Sequence, residues 1–100
     1  MSTHLVVCLT SRGNYARLGT VLRELDADEH FDLDIIVAGA SMLRRYGTLS
    51  DLIREDGLEP TREFYNVIDG GNPVASAKTT GLSMMEFSNV LDELDPDGVI

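Results

Sequence analysis

The segment Thr10-Ser11-Arg12-Gly13-Asn14 brings two hydroxyls and a permanent cation together on consecutive residues. Those groups suit a phosphate or pyrophosphate, because hydroxyl donors give directed hydrogen bonds and a guanidinium can hold two oxygens at once. Position matters as much as type. The apolar run Leu5-Val6-Val7-Cys8-Leu9 precedes the segment, and a helical pattern starting near Asn14 follows it. A buried parallel strand reads as such a continuous run, and the helix after it turns unpaired N–H groups and a positive dipole end toward the loop. The competing reading makes Arg12 a solvated loop residue and Asn14 an N-cap.

Neither common glycine signature for nucleotides is present. At the first loop only Gly13 and Gly19 are available, so G-x-G-x-x-G and G-x-x-x-x-G-K-[ST] both fail there. A second loop, from Gly39 to Gly47, carries Ser41, Arg44, Arg45 and Tyr46. Adjacent arginines on a turn read most simply as a solvated face, and Tyr46 as packing. His4 and His30 share no ligand spacing with Cys8 or with a carboxylate, so no metal is expected, and no cofactor is implied. Acid pairs such as Asp26 with Asp28 and Asp95 with Asp97 fall at helix ends and read as solvated, and no nucleophile stands at a recognisable spacing from a base.

The elements that would position the first loop alternate along the chain. Residues 5–9 form the first strand; Leu18, Val21, Leu22 and Leu25 then mark one face of a helix. Residues 33–38 read as a second strand closed by Gly39. A short helix carries Leu49, Leu52 and Ile53, with Ser50 or Thr48 as its N-cap and Gly57 as a left-handed C-cap. Residues 64–68 are the candidate third strand, before a turn at residues 69–73. The longest helix covers residues 74–94, with Ala77, Gly81, Met84, Met85, Leu91 and Leu94 at helical spacing; both methionines are expected in its core face, and Asp95-Pro96 stops it. Val99-Ile100 begins strand four. Alternation of this kind implies an α/β fold, a Rossmann-like parallel sheet with helices on both faces, whose ligands bind beyond the carboxyl ends of the strands.

Composition narrows the partners. Seventeen acidic residues against eight basic ones give a net charge of −9, and Lys78 is the sole lysine beside seven arginines. Nucleic acid and anionic membranes are therefore not expected partners. Cys8 alone cannot form an internal disulfide and reads as a small buried hydrophobe, which fits a reducing cytoplasm. No cationic leader and no apolar run near the roughly 20 residues of a membrane span is present. One hundred residues suffice for one small domain or part of a larger one, and an ending two residues into a strand suggests the latter.

The run Ser11-Arg12-Gly13-Asn14-Tyr15-Ala16-Arg17-Leu18 resembles the R-A-D-Y-x-x-L segment of the hydrolysing UDP-N-acetylglucosamine 2-epimerases, which release N-acetylmannosamine for sialic acid synthesis. The L-D-I-I-V-A-G strand with its R-Y-G loop ending, and the T-T-G-L and L-D-P-D stretches after Gly71, are similar to the same family. The resemblance implies a GT-B type fold of two Rossmann-like domains with the UDP-sugar between them. Residues 1–100 would then be the first half of the N-terminal, UDP-sugar-binding domain, and the intact enzyme a homo-oligomer.

Carried over by position, Arg12 matches the arginine that contacts the UDP moiety, and Ser11, Asn14 and Ser41 complete the substrate-facing set. Asn14 stands where the family has Asp, and Ser41 where it usually has His; a hydroxyl does not replace an imidazole in proton transfer near neutral pH. The family's G-D-R motif, which carries the catalytic carboxylate, would begin shortly after Ile100 and is not in this sequence. No catalytic residue is therefore expected in the chain, and no activity from it alone. Two other readings remain at this stage: part of a GT-B glycosyltransferase, and a stand-alone binding domain with an acidic working face.

Overall fold

The computed structural model describes residues 2–38, 49–64 and 71–100, the side chain of Arg12 excepted. Among these residues four parallel strands, β1 (Thr3–Leu9), β2 (Phe31–Val37), β3 (Arg62–Glu63) and β4 (Gly98–Val99), form one sheet in the order β3-β2-β1-β4, and three helices are found between them: α1 (Arg12–Ala27), α2 (Leu49–Glu55) and α3 (Pro73–Leu94). The pairing of β1 with β2 runs in unbroken register from Thr3↔Phe31 to Leu9↔Val37.

Because side chains alternate across a sheet, adjacent residues of one strand feed two different cores. Val7, Leu9, Ile35 and Val37 point to the face covered by α1 and α2, where they meet Tyr15, Leu22, Leu49, Ile53 and Leu58. Val6 and Ile36 point to the other face, where α3 covers them with Val90, flanked by the partly buried Cys8, Phe64, Phe87 and Leu91. Strands that step one way from β1 through β2 to β3, and then return to the other side of β1, need helices on opposite faces if each crossover is right-handed.

Several expectations shift once the elements pack. Helix α1 starts at Arg12, with Ser11 rather than Asn14 as its N-cap. Its buried stripe is Tyr15, Leu18, Leu22 and Leu25, whereas Val21 is about half exposed; at roughly 100° per residue Val21 is turned well away from Leu22. Ser50 lies inside α2, fully buried beside Leu49, and does not cap it; Thr48 lies outside the described residues. Gly57 does take the left-handed conformation after α2, with φ 87°.

The third strand is earlier and shorter than its apolar run suggested. It pairs at Arg62 and Glu63, and Phe64 still donates its N–H to Val37 O, while residues 65–70 lie outside the described residues. Thr61 anchors the approach, its N–H donating to Ile35 O at 2.7 Å. Helix α3 opens on an Asn72 cap, with Pro73 at the first position where a missing N–H costs nothing. Asp95, at φ 44°, ends it.

The methionines of α3 are the largest correction. Met84 and Met85 are 72% and 62% exposed, because the buried side of the helix is set by Ala75 and Val90, nearly opposite them on the helical wheel. Cys8 is half-buried rather than enclosed, and burial pushes its thiol pKa up.

Candidate functional site

In a sheet ordered β3-β2-β1-β4 the winding reverses between β1 and β4. The crevice for ligands in open α/β sheets lies beyond the carboxyl ends of the strands at such a reversal. Here that edge is made by Leu9 and Thr10 leaving β1 and by Ile100 leaving β4; Cys8 N–H donates to Ile100 O, and Ile100 N–H to Val6 O at 2.8 Å. The segment Thr10-Ser11-Arg12-Gly13-Asn14 therefore opens at the switch point of the sheet.

Its local geometry follows from helix capping. Ser11 is extended, φ −156° and ψ 162°, and its Oγ accepts from the Asn14 N–H at 3.2 Å. Asn14 returns the contact one residue earlier: its Oδ1 accepts from Thr10 N–H at 3.2 Å and from Thr10 Oγ1 at 2.8 Å. This reciprocal arrangement satisfies the third N–H of α1 and ties the loop to the first turn, as a capping box does. The N–H groups of the first helical residues, Arg12 and Gly13, point out of the helix end, where the macrodipole is positive.

Gly13 was not singled out from sequence, yet it bears on the site. A Cβ at Gly13 would meet only Ser11 Oγ, at 3.7 Å, so its own fold does not require the bare backbone. That bareness is useful to an anion, which can approach the N–H groups closely. Arg12 occupies the first helical position, but its side chain lies outside the described residues; so does Ser41 with the rest of the second loop, Arg44, Arg45 and Tyr46 included. Of the four substrate-facing residues named from sequence, Ser11 and Asn14 are thus placed side by side at the helix end.

Behind the loop, Tyr15 fastens α1 to the end of α2. Its ring is buried and its hydroxyl donates to Asp56 Oδ2 at 2.6 Å, with Arg23 Nη1 3.6 Å from the same carboxylate. Burial, and then the Asp56 carboxylate, push the phenol pKa above its ordinary value, against the opposing pull of Arg23.

One polar cluster was invisible in sequence because its members are 27 to 30 residues apart. His4 Nε2 contacts Asp34 Oδ2, and Thr61 Oγ1 donates to Asp34 Oδ1 at 2.9 Å. His4 lies about 16 Å from the carboxyl edge, five residues back along β1 at about 3.3 Å each, and the cluster ties β1 and β2 to Thr61, the residue before β3. Among the described residues no group of three or more His, Cys, Asp or Glu could hold a metal ion, and no helix is long and apolar enough to cross a membrane.

No family model matches the chain. In sequence it is 26% identical over 96 residues to UDP-N-acetylglucosamine 2-epimerase of Neisseria meningitidis serogroup B, an alignment that takes in 95% of this chain and 25% of that protein. In fold it matches a crystal structure of UDP-N-acetylglucosamine 2-epimerase with a TM-score of 0.79 at 14% identity, over 99% of this chain and 26% of that one. The chain is thus similar in sequence to one UDP-N-acetylglucosamine 2-epimerase and shares the fold of another, and it spans about a quarter of the length of the proteins it matches.

Proposed function

We propose that the chain is part of the N-terminal domain of a UDP-N-acetylglucosamine 2-epimerase of the hydrolysing type, and that the end of β1 with the first turn of α1 forms one wall of its UDP-sugar cleft. The observation that carries this reading is the placement of a capped, glycine-bearing helix N-terminus at the switch point between β1 and β4. An open α/β sheet binds ligands at that point, and the N-terminus of a helix there favours a pyrophosphate.

Each residue has a part. Arg12 supplies the cation for the pyrophosphate and offsets the charge that develops on departing UDP, an electrostatic role. Arg12 and Gly13 offer backbone N–H groups; Ser11 and Asn14 hold the loop in register and keep polar atoms at the mouth. Ser41 in the second loop, outside the described residues, joins this set on the resemblance alone. A carboxylate from outside this chain removes the sugar C2 proton, UDP leaves by anti elimination, and water adds to give N-acetylmannosamine.

Calorimetry of UDP binding to the intact protein tests the assignment. Arg12→Ala should weaken binding about tenfold or more, the loss expected for one charge-assisted pair; unchanged affinity would remove Arg12 from the site. Release of UDP and N-acetylmannosamine from UDP-N-acetylglucosamine without an acceptor supports the epimerase reading. A strict need for an acceptor would make the protein a glycosyltransferase instead, and no UDP binding at all would make it an interaction domain.

A further inference from the structure

Among the described residues, the polar side-chain contacts that join α1 to another helix or strand both end on one carboxylate, Asp56. Tyr15 reaches it from the first turn, its hydroxyl donating to Oδ2 at 2.6 Å, and Arg23 reaches it from about two turns further on, with Nη1 at 3.6 Å. Gly19 lies buried midway between them. A Cβ there would already touch Tyr15 Cε1 and Cζ at 3.6 Å and Arg23 Nη1 at 3.5 Å, and anything longer would displace the ring or the guanidinium. The far side of the contact is firm as well. Asp56 N–H donates to Leu52 O and Ile53 O, and Leu58 N–H donates to Ile53 O, with Ile53 and Leu58 sealed in the core that α1 and α2 share.

We propose that Tyr15 is a positioning residue for the UDP-sugar: its hydroxyl, held by Asp56, sets the rotation of α1 and so aims the Arg12 and Gly13 N–H groups at the pyrophosphate. The role rests on the reading of that cleft proposed above. The remaining buried side of α1, Leu18 and Leu22, is apolar, and apolar contact resists separation without preferring a direction. A hydrogen bond does prefer one. Tyr15 also stands where such a stop acts best. Its N–H closes the first turn onto Ser11 O, beside the residues that face the ligand, while its hydroxyl sits at the end of a long arm. Turning α1 by about 15° shifts an N–H near the axis by about half an ångström, the margin within which a binding site must be held. The same turn carries the hydroxyl several times as far, out of reach of Asp56.

Calorimetry of UDP binding to the intact protein, with circular dichroism of each variant, tests it. Tyr15→Phe and Asp56→Ala should each weaken UDP binding about fivefold, the worth of one hydrogen bond. The double variant should bind no worse than either single one, because both break the same contact; the half-exposed Arg23 pair adds little. Asp56→Asn keeps an oxygen that accepts the Tyr15 hydroxyl and should bind within about twofold of the parent. A contact that only holds the fold together would lower the unfolding temperature of these variants and leave the affinity alone. Parent-like UDP affinity in folded Tyr15→Phe and Asp56→Ala therefore overturns the positioning role while the cleft stands, as does full additivity in the double variant or an Asp56→Asn as weak as Asp56→Ala. A parent protein that does not bind UDP removes the cleft itself, and the role of Tyr15 with it.

Discussion

Val6 and Val7 are neighbours in β1, and neither has any exposed surface, yet they sit in different surroundings. Val7 belongs to a core closed by two helices, with Leu9, Leu22, Ile35, Val37, Leu49 and Ile53 all at 2% exposure or less. Among the described residues Val6 shares its core with Ile36 and Val90, and the others packed against them, such as Cys8, Phe64, Phe87 and Leu91, keep some solvent contact. The site follows the better-sealed face: α1, whose first turn holds Ser11 and Asn14, is anchored there by Tyr15 and Leu22. A helix N-terminus can present fixed N–H groups to an anion only if the helix itself does not move, and close packing supplies that rigidity. The α3 face is held more loosely and offers an outward surface instead.

The sharpest way to break this contrast is the matched pair Val7→Ala and Val6→Ala. The first should cost about 2 to 2.5 kcal/mol in urea unfolding and the second about 1 to 1.5, since a cavity costs more where its walls cannot collapse. Equal losses would show that the two faces are equally packed. Tyr15→Phe comes next, with an expected loss of about 1 to 2 kcal/mol at neutral pH for a hydrogen bond to a charged group. It also carries a pH signature. The folded-state pKa of Tyr15 is raised, so its contribution is fully present below the ordinary phenol value of 10.0 and is lost as the pH climbs through the folded value. Stability of the parent should therefore fall above about pH 10, and Tyr15→Phe should lack that part of the decline.

The smallest effect sharpens the site itself. Asn14→Asp should raise stability by about 0.3 to 1 kcal/mol, because a carboxylate can accept both Thr10 contacts and adds a negative charge in the first turn of α1. Thermal unfolding would show it; a loss instead would mean that the side-chain N–H₂ of Asn14 has a partner of its own.

Much of this architecture is legible in the residues. Continuous apolar runs mark β1 and β2 because strands buried on both faces need no polar alternation. Asn72-Pro73 and Asp95-Pro96 bracket α3 because proline suits a helix start and not its interior. Gly57 marks the end of α2 through its positive φ. Where reading by period failed, competing patterns had similar strength. Val21 and Tyr15 both continue a helical spacing with Leu18 and Leu22, and only the position of the sheet selects Tyr15. Arg62-Glu63 looks like a polar lead-in to Phe64, yet it is the part that pairs with β2, because Thr61 fixes the register through Ile35.

The sequence by itself determined the order of elements and the content of the first loop: an apolar strand, two hydroxyls, an arginine, a glycine and an asparagine at the start of a helix. Those are local properties, set by side-chain volume, capping chemistry and period. Tertiary structure decided what is non-local. The order β3-β2-β1-β4 puts the loop at a switch point, the sheet joins His4 to Asp34, and Ala75 and Val90 turn Met84 and Met85 outward. Each of these depends on which residues, distant in the chain, exclude water together, and no local spacing encodes that choice.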